Sequence, residues 1–331
     1  MNNRYLTSLV LAISVVVCIG CGKKSGRNAI FQSIDTRSSG LNFQNILSES
    51  DSINAYTFLY IYNGSGVAIA DLNNDGLKDV VMAGNMVPTT VYVNKGDLQF
   101  EPLELPLQGV IPWVHGVSIV DINNDGLQDI YLSVGGIKKS AQAANKLYVN
   151  KGDMLFEEGA ARFGLADTSL TTHTVFFDYD QDGDLDAYLL NYENNPNKDP
   201  NVIRPKNLSG NTVSQDRLYR NDGEIFKEVS AQAGIIHEGY GLGIHTSDFN
   251  NDGWLDIYVS NDFAYDDLLY INQQDGTFKE SLNLYFEHTS NFGMGIDLAD
   301  VNNDGKPDLL QVDMLPEDNR RQKKLLSGMN Y

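Results

Sequence analysis

The stretch Asp71-Leu72-Asn73-Asn74-Asp75-Gly76-Leu77-Lys78-Asp79 decides how the chain is read, because it recurs. The same template returns as Asp121-Ile-Asn123-Asn-Asp125-Gly126-Leu127-Gln-Asp129 and as Asp178-Tyr-Asp180-Gln-Asp182-Gly183-Asp184-Leu-Asp186. Two more copies are Asp248-Phe-Asn250-Asn-Asp252-Gly253-Trp254-Leu-Asp256 and Asp300-Val-Asn302-Asn-Asp304-Gly305-Lys306-Pro-Asp308. Their first aspartates lie 50, 57, 70 and 52 residues apart. Periods of this length belong to propellers or solenoids.

A second template follows each of the first four copies: Tyr92-Val-Asn94…Phe100, Tyr148-Val-Asn150…Phe156, Tyr219-Arg-Asn221…Phe226 and Tyr270-Ile-Asn272…Phe278. Turn residues between an aromatic pair mark a hairpin. Each hairpin Phe precedes the next repeat's first Asp by 21 or 22 residues, whereas the Asp motif and its hairpin Tyr are separated by 13, 19, 33 and 14. The fixed spacing fits a packed connection between units; the variable one fits a surface loop. Apolar runs flank every Asp motif, such as Val67–Ala70 before and Val80–Met82 after the first, and their β-branched content reads as strands buried on both faces. Each unit is therefore expected to be strand, Asp loop, strand, variable loop, strand, hairpin, strand. That is a blade of an all-β propeller with four-stranded antiparallel sheets.

The Asp loop has the chemistry of a hard-cation site. Positions 1, 3, 5 and 9 carry oxygen side chains, and Gly at position 6 permits a sharp turn. Seven-coordinate Ca²⁺ suits such a ligand set, with the backbone carbonyl of position 7 (Leu77, Leu127, Asp184, Trp254, Lys306) completing it. An EF-hand would need Glu at position 12 between helices. Position 12 is instead Met82, Leu132, Leu189, Val259 and Gln311, between strands. The expected ligands are thus Asp71, Asn73, Asp75 and Asp79; Asp121, Asn123, Asp125 and Asp129; Asp178, Asp180, Asp182, Asp184 and Asp186; Asp248, Asn250, Asp252 and Asp256; and Asp300, Asn302, Asp304 and Asp308. About one Ca²⁺ per loop is expected.

These loops resemble FG-GAP/VCBS repeats, the calcium-loop propellers related to the integrin α head. The phrases Gly241-Leu-Gly243…Asp248–Asp256…Asn261-Asp262 and Gly293-Met-Gly295-Ile-Asp297…Asp313-Met314 resemble the cartilage acidic protein-like (ASPIC/UnbV-associated) proteins, many of them bacterial lipoproteins. The resemblance implies a seven-bladed propeller with calcium in each loop. The chain departs from it by having five loops and no C-terminal ASPIC region, and its fifth unit leaves the pattern after Val312. Two expectations follow. The N-terminal segments Leu41–Phe43 and Tyr56–Tyr62 would complete the last sheet, or the chain is the N-terminal part of a longer propeller protein.

The ends read differently. Residues 1–20 form a lipoprotein signal peptide, with an apolar run from Leu6 to Ile19 that is short for a transmembrane span. Cys18-Ile-Gly-Cys21 resembles a lipobox, so Cys21 is the expected lipidation site and membrane anchor. Residues 21–40 are a tether, 41–318 the propeller, and 319–331 a basic C-terminal segment, the start of a missing continuation. This places the protein in the bacterial cell envelope, outer membrane preferred, facing periplasm or exterior.

Composition narrows the function. With 44 Asp+Glu against 24 Lys+Arg, the net charge is −20, which opposes nucleic-acid binding. Hydrophobic residues at 42% rule out an acidic disordered chain. Seventeen of the 44 acids sit in the Asp loops, and five Ca²⁺ ions would halve the net charge. Calcium loops and hairpins share one end of the blades, which leaves the variable loops at the other for a protein or glycan ligand. Asn85, Asn191, Tyr192, Arg204, Asn261, Asp262 and Asp313 are the expected ligand rim, most of them just after second strands. His115, His173 and His245 stand at different offsets from their loops, against a three-histidine metal ring. No nucleophile elbow, zincin or P-loop motif occurs, so the expected role is a binding or adhesion scaffold and not an enzyme. The alternatives are a glycan hydrolase or lyase acting through the insertion face and a purely structural envelope component.

Overall fold

A computed structural model describes residues 31–320, apart from 32, 107–110, 138–142, 196, 201, 203, 224, 264, 315, 316 and 319. The signal peptide, the lipidation site Cys21, most of the tether and nearly all of the C-terminal segment lie outside the described residues. The contacts divide the chain into two units, residues 1–39 and 40–331. In the first, a single helical turn α1 (Thr36–Ser39) is the described element. Everything below concerns the second.

Four complete sheets follow one another in chain order, each a meander with its strands in sequence. Blade 1 is β1 (Val67–Ala70), β2 (Asp79–Met82), β3 (Thr90–Asn94) and β4 (Phe100–Glu104). Blade 2 is β5 (Val114–Val120), β6 (Asp129–Val134), β7 (Lys146–Asn150) and β8 (Phe156–Glu158). Blade 3 is β9 (Thr171–Phe177), β10 (Asp186–Asn191), β11 (Arg217–Asn221) and β12 (Phe226–Glu228). Blade 4 is β13 (Gly241–Ser247), β14 (Asp256–Asn261), β15 (Leu268–Asn272) and β16 (Phe278–Glu280). A fifth unit pairs β17 (Gly293–Ala299) with β18 (Asp308–Asp313). All pairings are antiparallel, as the strand–loop–strand–hairpin reading requires.

Each second strand from blade 2 to blade 4 is buried along its whole length, because sheets pack on both of its faces. Tyr188, Leu190 and Leu218 of blade 3 meet Ile244, Ile257 and Val259 of blade 4 in one such seam. The fixed 21–22-residue connections earn their constancy by being pinned. After β8 comes a turn α2 (Ala160–Phe163), and the Leu165 carbonyl beyond it accepts the Tyr131 hydroxyl at 3.0 Å. In the next connection the Phe278 amide donates to the Ala233 carbonyl at 2.7 Å. After β16 a further turn, α3 (Leu282–Tyr285), buries Leu282 beside Tyr258.

The N-terminal segment does not complete the last sheet, which removes the first of the two alternatives the sequence left open. Asn42 accepts a hydrogen bond from Tyr92 of blade 1 at 3.0 Å. Phe58, Tyr60 and Ile61 bury themselves in an aromatic cluster with Tyr192 and Tyr240, at the end of the blades opposite the Asp loops. Burial of these side chains removes a large apolar area from water, at about 25 cal/mol per Å², and holds the segment there. The fifth sheet consequently keeps two strands among the described residues. Leu310 and Val312 on β18 and Val67 and Ile69 on β1 are more than half exposed, where the equivalent positions of the inner blades are buried or part-buried.

Candidate metal centre

The five Asp loops share one backbone. Position 4 takes a left-handed conformation in every copy (Asn74, Asn124, Gln181, Asn251 and Asn303, φ 57 to 60), and Gly at position 6 has φ from 84 to 97. The glycine is required there because a side chain disfavours that region. In the first loop Asp71 accepts the amides of Asp75 (Oδ1, 3.1 Å) and Gly76 (Oδ2, 2.9 Å), and Asp75 Oδ1 accepts that of Leu77 at 2.8 Å. The chain thus curls around its own carboxylates with their oxygens turned inward.

Position 9 has a second task that sequence reasoning missed. Asp129 is fully buried; its Oδ2 accepts the Ile122 amide at 2.9 Å and its Oδ1 the Asn150 amide at 2.6 Å. Asp79, Asp186 and Asp256 make the same pair of bonds, to Leu72 and Asn94, Tyr179 and Asn221, and Phe249 and Asn272. The loop is thereby pinned to the hairpin of its own blade. Each oxygen retains a second lone pair, so the pin is compatible with ligation. Burial pushes the Asp129 carboxyl up to about 6 and that of Asp186 up to about 7, against the pull of their amide donors. A cation in the loop reverses that penalty.

Neighbouring loops are stitched together as well. Asn150 donates through Nδ2 to the Leu72 carbonyl of blade 1 at 2.7 Å, and Asn272 to the Tyr179 carbonyl of blade 3 at 2.8 Å. Position 4 reaches forward: Asn74 donates to the Gly126 carbonyl at 3.2 Å and Gln181 to the Gly253 carbonyl at 2.8 Å. Two of the hairpin asparagines, Asn150 and Asn272, are therefore links between units, whereas Asn94 and Asn221 bond the Lys78 and Leu185 carbonyls of their own blades.

The third loop fits a hard cation best. One ligand atom each from Asp178, Asp180 and Asp186 lie within 4.8 Å of one another. Asp178 Oδ1, Asp180 Oδ1 and Asp184 Oδ1 are shielded from solvent and have no hydrogen-bond partner. Unpaired buried carboxylate oxygens are costly unless a cation meets them. Calcium binding chemistry, oxygen-only and multidentate, matches that donor set.

The expected ligand rim is corrected by the structure. Asn85, Asn191, Tyr192, Asn261 and Asp262 are 2% exposed or less. Asn85 donates to the Val114 carbonyl and accepts from Asn45, while Asn191 donates to the Gln215 carbonyl. Tyr192 donates to the Gly136 carbonyl at 2.9 Å and meets His115 Nε2 at 3.2 Å. Asp262 accepts from Tyr60. These groups fall inside because the N-terminal segment and the 191–216 insertion fold over the ends of the second strands; Asn194 alone bonds the carbonyls of Thr57 and Ile137. Arg204 and Asp313 remain exposed. Arg204 Nη1 donates to the Asp199 carbonyl at 2.7 Å, and Asp313 accepts from Ser290 and the Phe292 amide. His115, His173 and His245 are part-buried, and burial holds His115 down to about 4.

A further set is marked in the sequence only by its offset, three residues before the hairpin tyrosines Tyr148, Tyr219 and Tyr270. The residue before the third strand latches each blade: Asp216 accepts the Asn191 amide and the Tyr188 hydroxyl, both at 2.8 Å, and Asp267 does the same for Asn261 and Tyr258. Asn145 fills that place in blade 2, accepting the Val134 amide at 2.7 Å.

A family model described as FG-GAP-like repeat matches residues 71–132 and 248–310, which are built on the first two and last two Asp loops. Among solved structures, the biofilm matrix protein Bap1 of V. cholerae is similar with 15% identity and a TM-score of 0.38. That match covers 71% of this chain and 30% of the other, so the chain spans less than a third of that protein. No curated protein matches the chain in sequence.

Proposed function

From a chain that carries FG-GAP-like repeats folded as propeller-like blades, we propose a calcium-stiffened binding or adhesion scaffold of the bacterial cell envelope. Ca²⁺ occupies the Asp loops, about one per loop, and fixes that end of the blades. The opposite end, where the variable loops and N-terminal segment lie, recognises a protein or glycan. The observation that carries this reading is the set of buried, unpartnered carboxylate oxygens in the third loop. At the opposite end Tyr56 and Tyr62 are exposed at 92% and 64%, which gives a ligand aromatic faces to meet. The scaffold is not catalytic in this reading, and Cys21 carries the lipid that holds it to the membrane.

The binding role is tested with the full chain displayed on beads and exposed to envelope polysaccharide and envelope protein fractions. Tyr56→Ala with Tyr62→Ala is expected to abolish capture in calcium, whereas Asn251→Ala in a loop leaves it intact. Capture that survives the tyrosine pair refutes the assignment of the binding end. For the anchor, Cys21→Ala is expected to release the protein from the membrane fraction; retention of the variant there contradicts lipidation.

A further inference from the structure

We infer that the five loops are unequal cation sites, and that the third, Asp178–Asp186, fills first and holds its ion most tightly, with the Asp184 carboxylate as a ligand that the other loops lack. The inference rests on the proposed calcium reading. In the other four loops position 3 is Asn, and its amide already donates a hydrogen bond to the carboxylate of position 5. Asn73 donates to Asp75 at 3.0 Å, Asn123 to Asp125 at 2.9 Å, Asn250 to Asp252 at 2.8 Å and Asn302 to Asp304 at 3.2 Å. In the third loop Asp180 has no such proton to give, and Asp184 adds another carboxylate where the others carry Leu, Trp or Lys. Of the five carboxylates in these nine residues, Asp178, Asp180 and Asp186 bring oxygens within 4.8 Å of one another, and one oxygen each of Asp178, Asp180 and Asp184 is buried without a partner. The guanidinium that shares a pocket with Asp180, that of Arg220, commits its Nε to Asp222 at 2.7 Å. A bound cation is what this loop is shaped to receive, and affinity in oxygen loops rises with the number of ligand charges.

The position of the loop gives the ranking a consequence. Gln181 and Asn272 tie it to blade 4 through the Gly253 and Tyr179 carbonyls. The first ion bound therefore stiffens the seam between blades 3 and 4 before the other loops fill.

The test is calorimetric titration of the metal-free full chain with CaCl₂, with terbium luminescence on the unmutated protein to count tight equivalents. Expected are one site at least tenfold tighter than the rest and one tight terbium equivalent. Asp184→Leu installs the residue that loops 1 and 2 carry at that position; it is expected to weaken the tight site about tenfold and leave the others unchanged. Asp180→Asn combined with Asp184→Leu merges the site with the weak class, while Asn123→Ala in loop 2 preserves the tight phase. Circular dichroism establishes that each variant is folded. Five indistinguishable sites, or a tight phase that survives the double variant, overturn the inference and leave calcium binding standing. No uptake by any loop at about 10 mM, above the usual range for extracellular modules, overturns the calcium reading and the inference with it.

Discussion

Replacing Asp129 by alanine tests the idea that position 9 pins the Asp loop to its hairpin independently of metal. The carboxylate is fully buried and takes the amides of Ile122 at 2.9 Å and Asn150 at 2.6 Å. Alanine leaves both N–H groups buried without an acceptor, at about 1–3 kcal/mol each, so the expected loss is about 2–6 kcal/mol. Asparagine keeps one acceptor and turns an amide toward the other donor, and about half the loss is expected. The assay is urea unfolding followed by circular dichroism in EDTA, where no ion contributes, with the midpoint shift read at constant slope. Because the two bonds exist without metal, the penalty should appear undiminished in EDTA. An Asp129→Ala protein within about 0.5 kcal/mol of the unmutated chain, the range of neutral surface changes, would refute the pin.

Other outcomes follow from the same geometry. Gly234 has φ +79, and a Cβ there would stand 2.6 Å from the Phe278 carbonyl oxygen of the next blade. Gly234→Ala should therefore cost at least the left-handed penalty of about 1–2 kcal/mol, seen as a lower urea midpoint; an unchanged midpoint contradicts the close approach. Burial pushes Asp216 up to about 7. Its folded pKa lies above the unfolded value, so the native state binds the extra proton. The contribution of Asp216 to stability should be greatest below about pH 4, fall as pH rises from there to about 7, and level off above, with a slope of at most about 1.4 kcal/mol per pH unit. Asp216→Asn, which keeps an acceptor for the Asn191 amide, should remove that contribution from the pH profile, and an identical profile in the variant contradicts it.

Much of this architecture is visible in the sequence because two templates repeat with one fixed and one variable spacing. The fixed spacing reflects connectors pinned to the blades beside them, as Leu165 is to Tyr131 and Ala233 to Phe278. The oxygen pattern of the loops is equally plain, down to the odd Asp180 and Asp184. The latch residues Asn145, Asp216 and Asp267 keep a fixed register, three residues before Tyr148, Tyr219 and Tyr270, but they were hidden because the residue type changes from Thr89 to Asn to Asp along the chain and the amide each one holds lies across a loop of variable length. The rim failed for a different reason. Asn191 or Asp262 at a strand end looks exposed in one dimension, and only the insertion and N-terminal segment, folding back from 20 to 200 residues away, bury it. Non-local cover of this kind has no period and no local signature.

The most direct test of the central claim, that the Asp loops are calcium sites which hold the blade ends together, is the melting temperature of the metal-free chain with and without Ca²⁺. At a hundredfold excess over its dissociation constant each filled loop adds about 2.7 kcal/mol, and each such increment is worth several degrees. A rise of many degrees in about 5 mM CaCl₂, reversed by EDTA, is the predicted result. Coincident melting curves in calcium and EDTA would contradict the account.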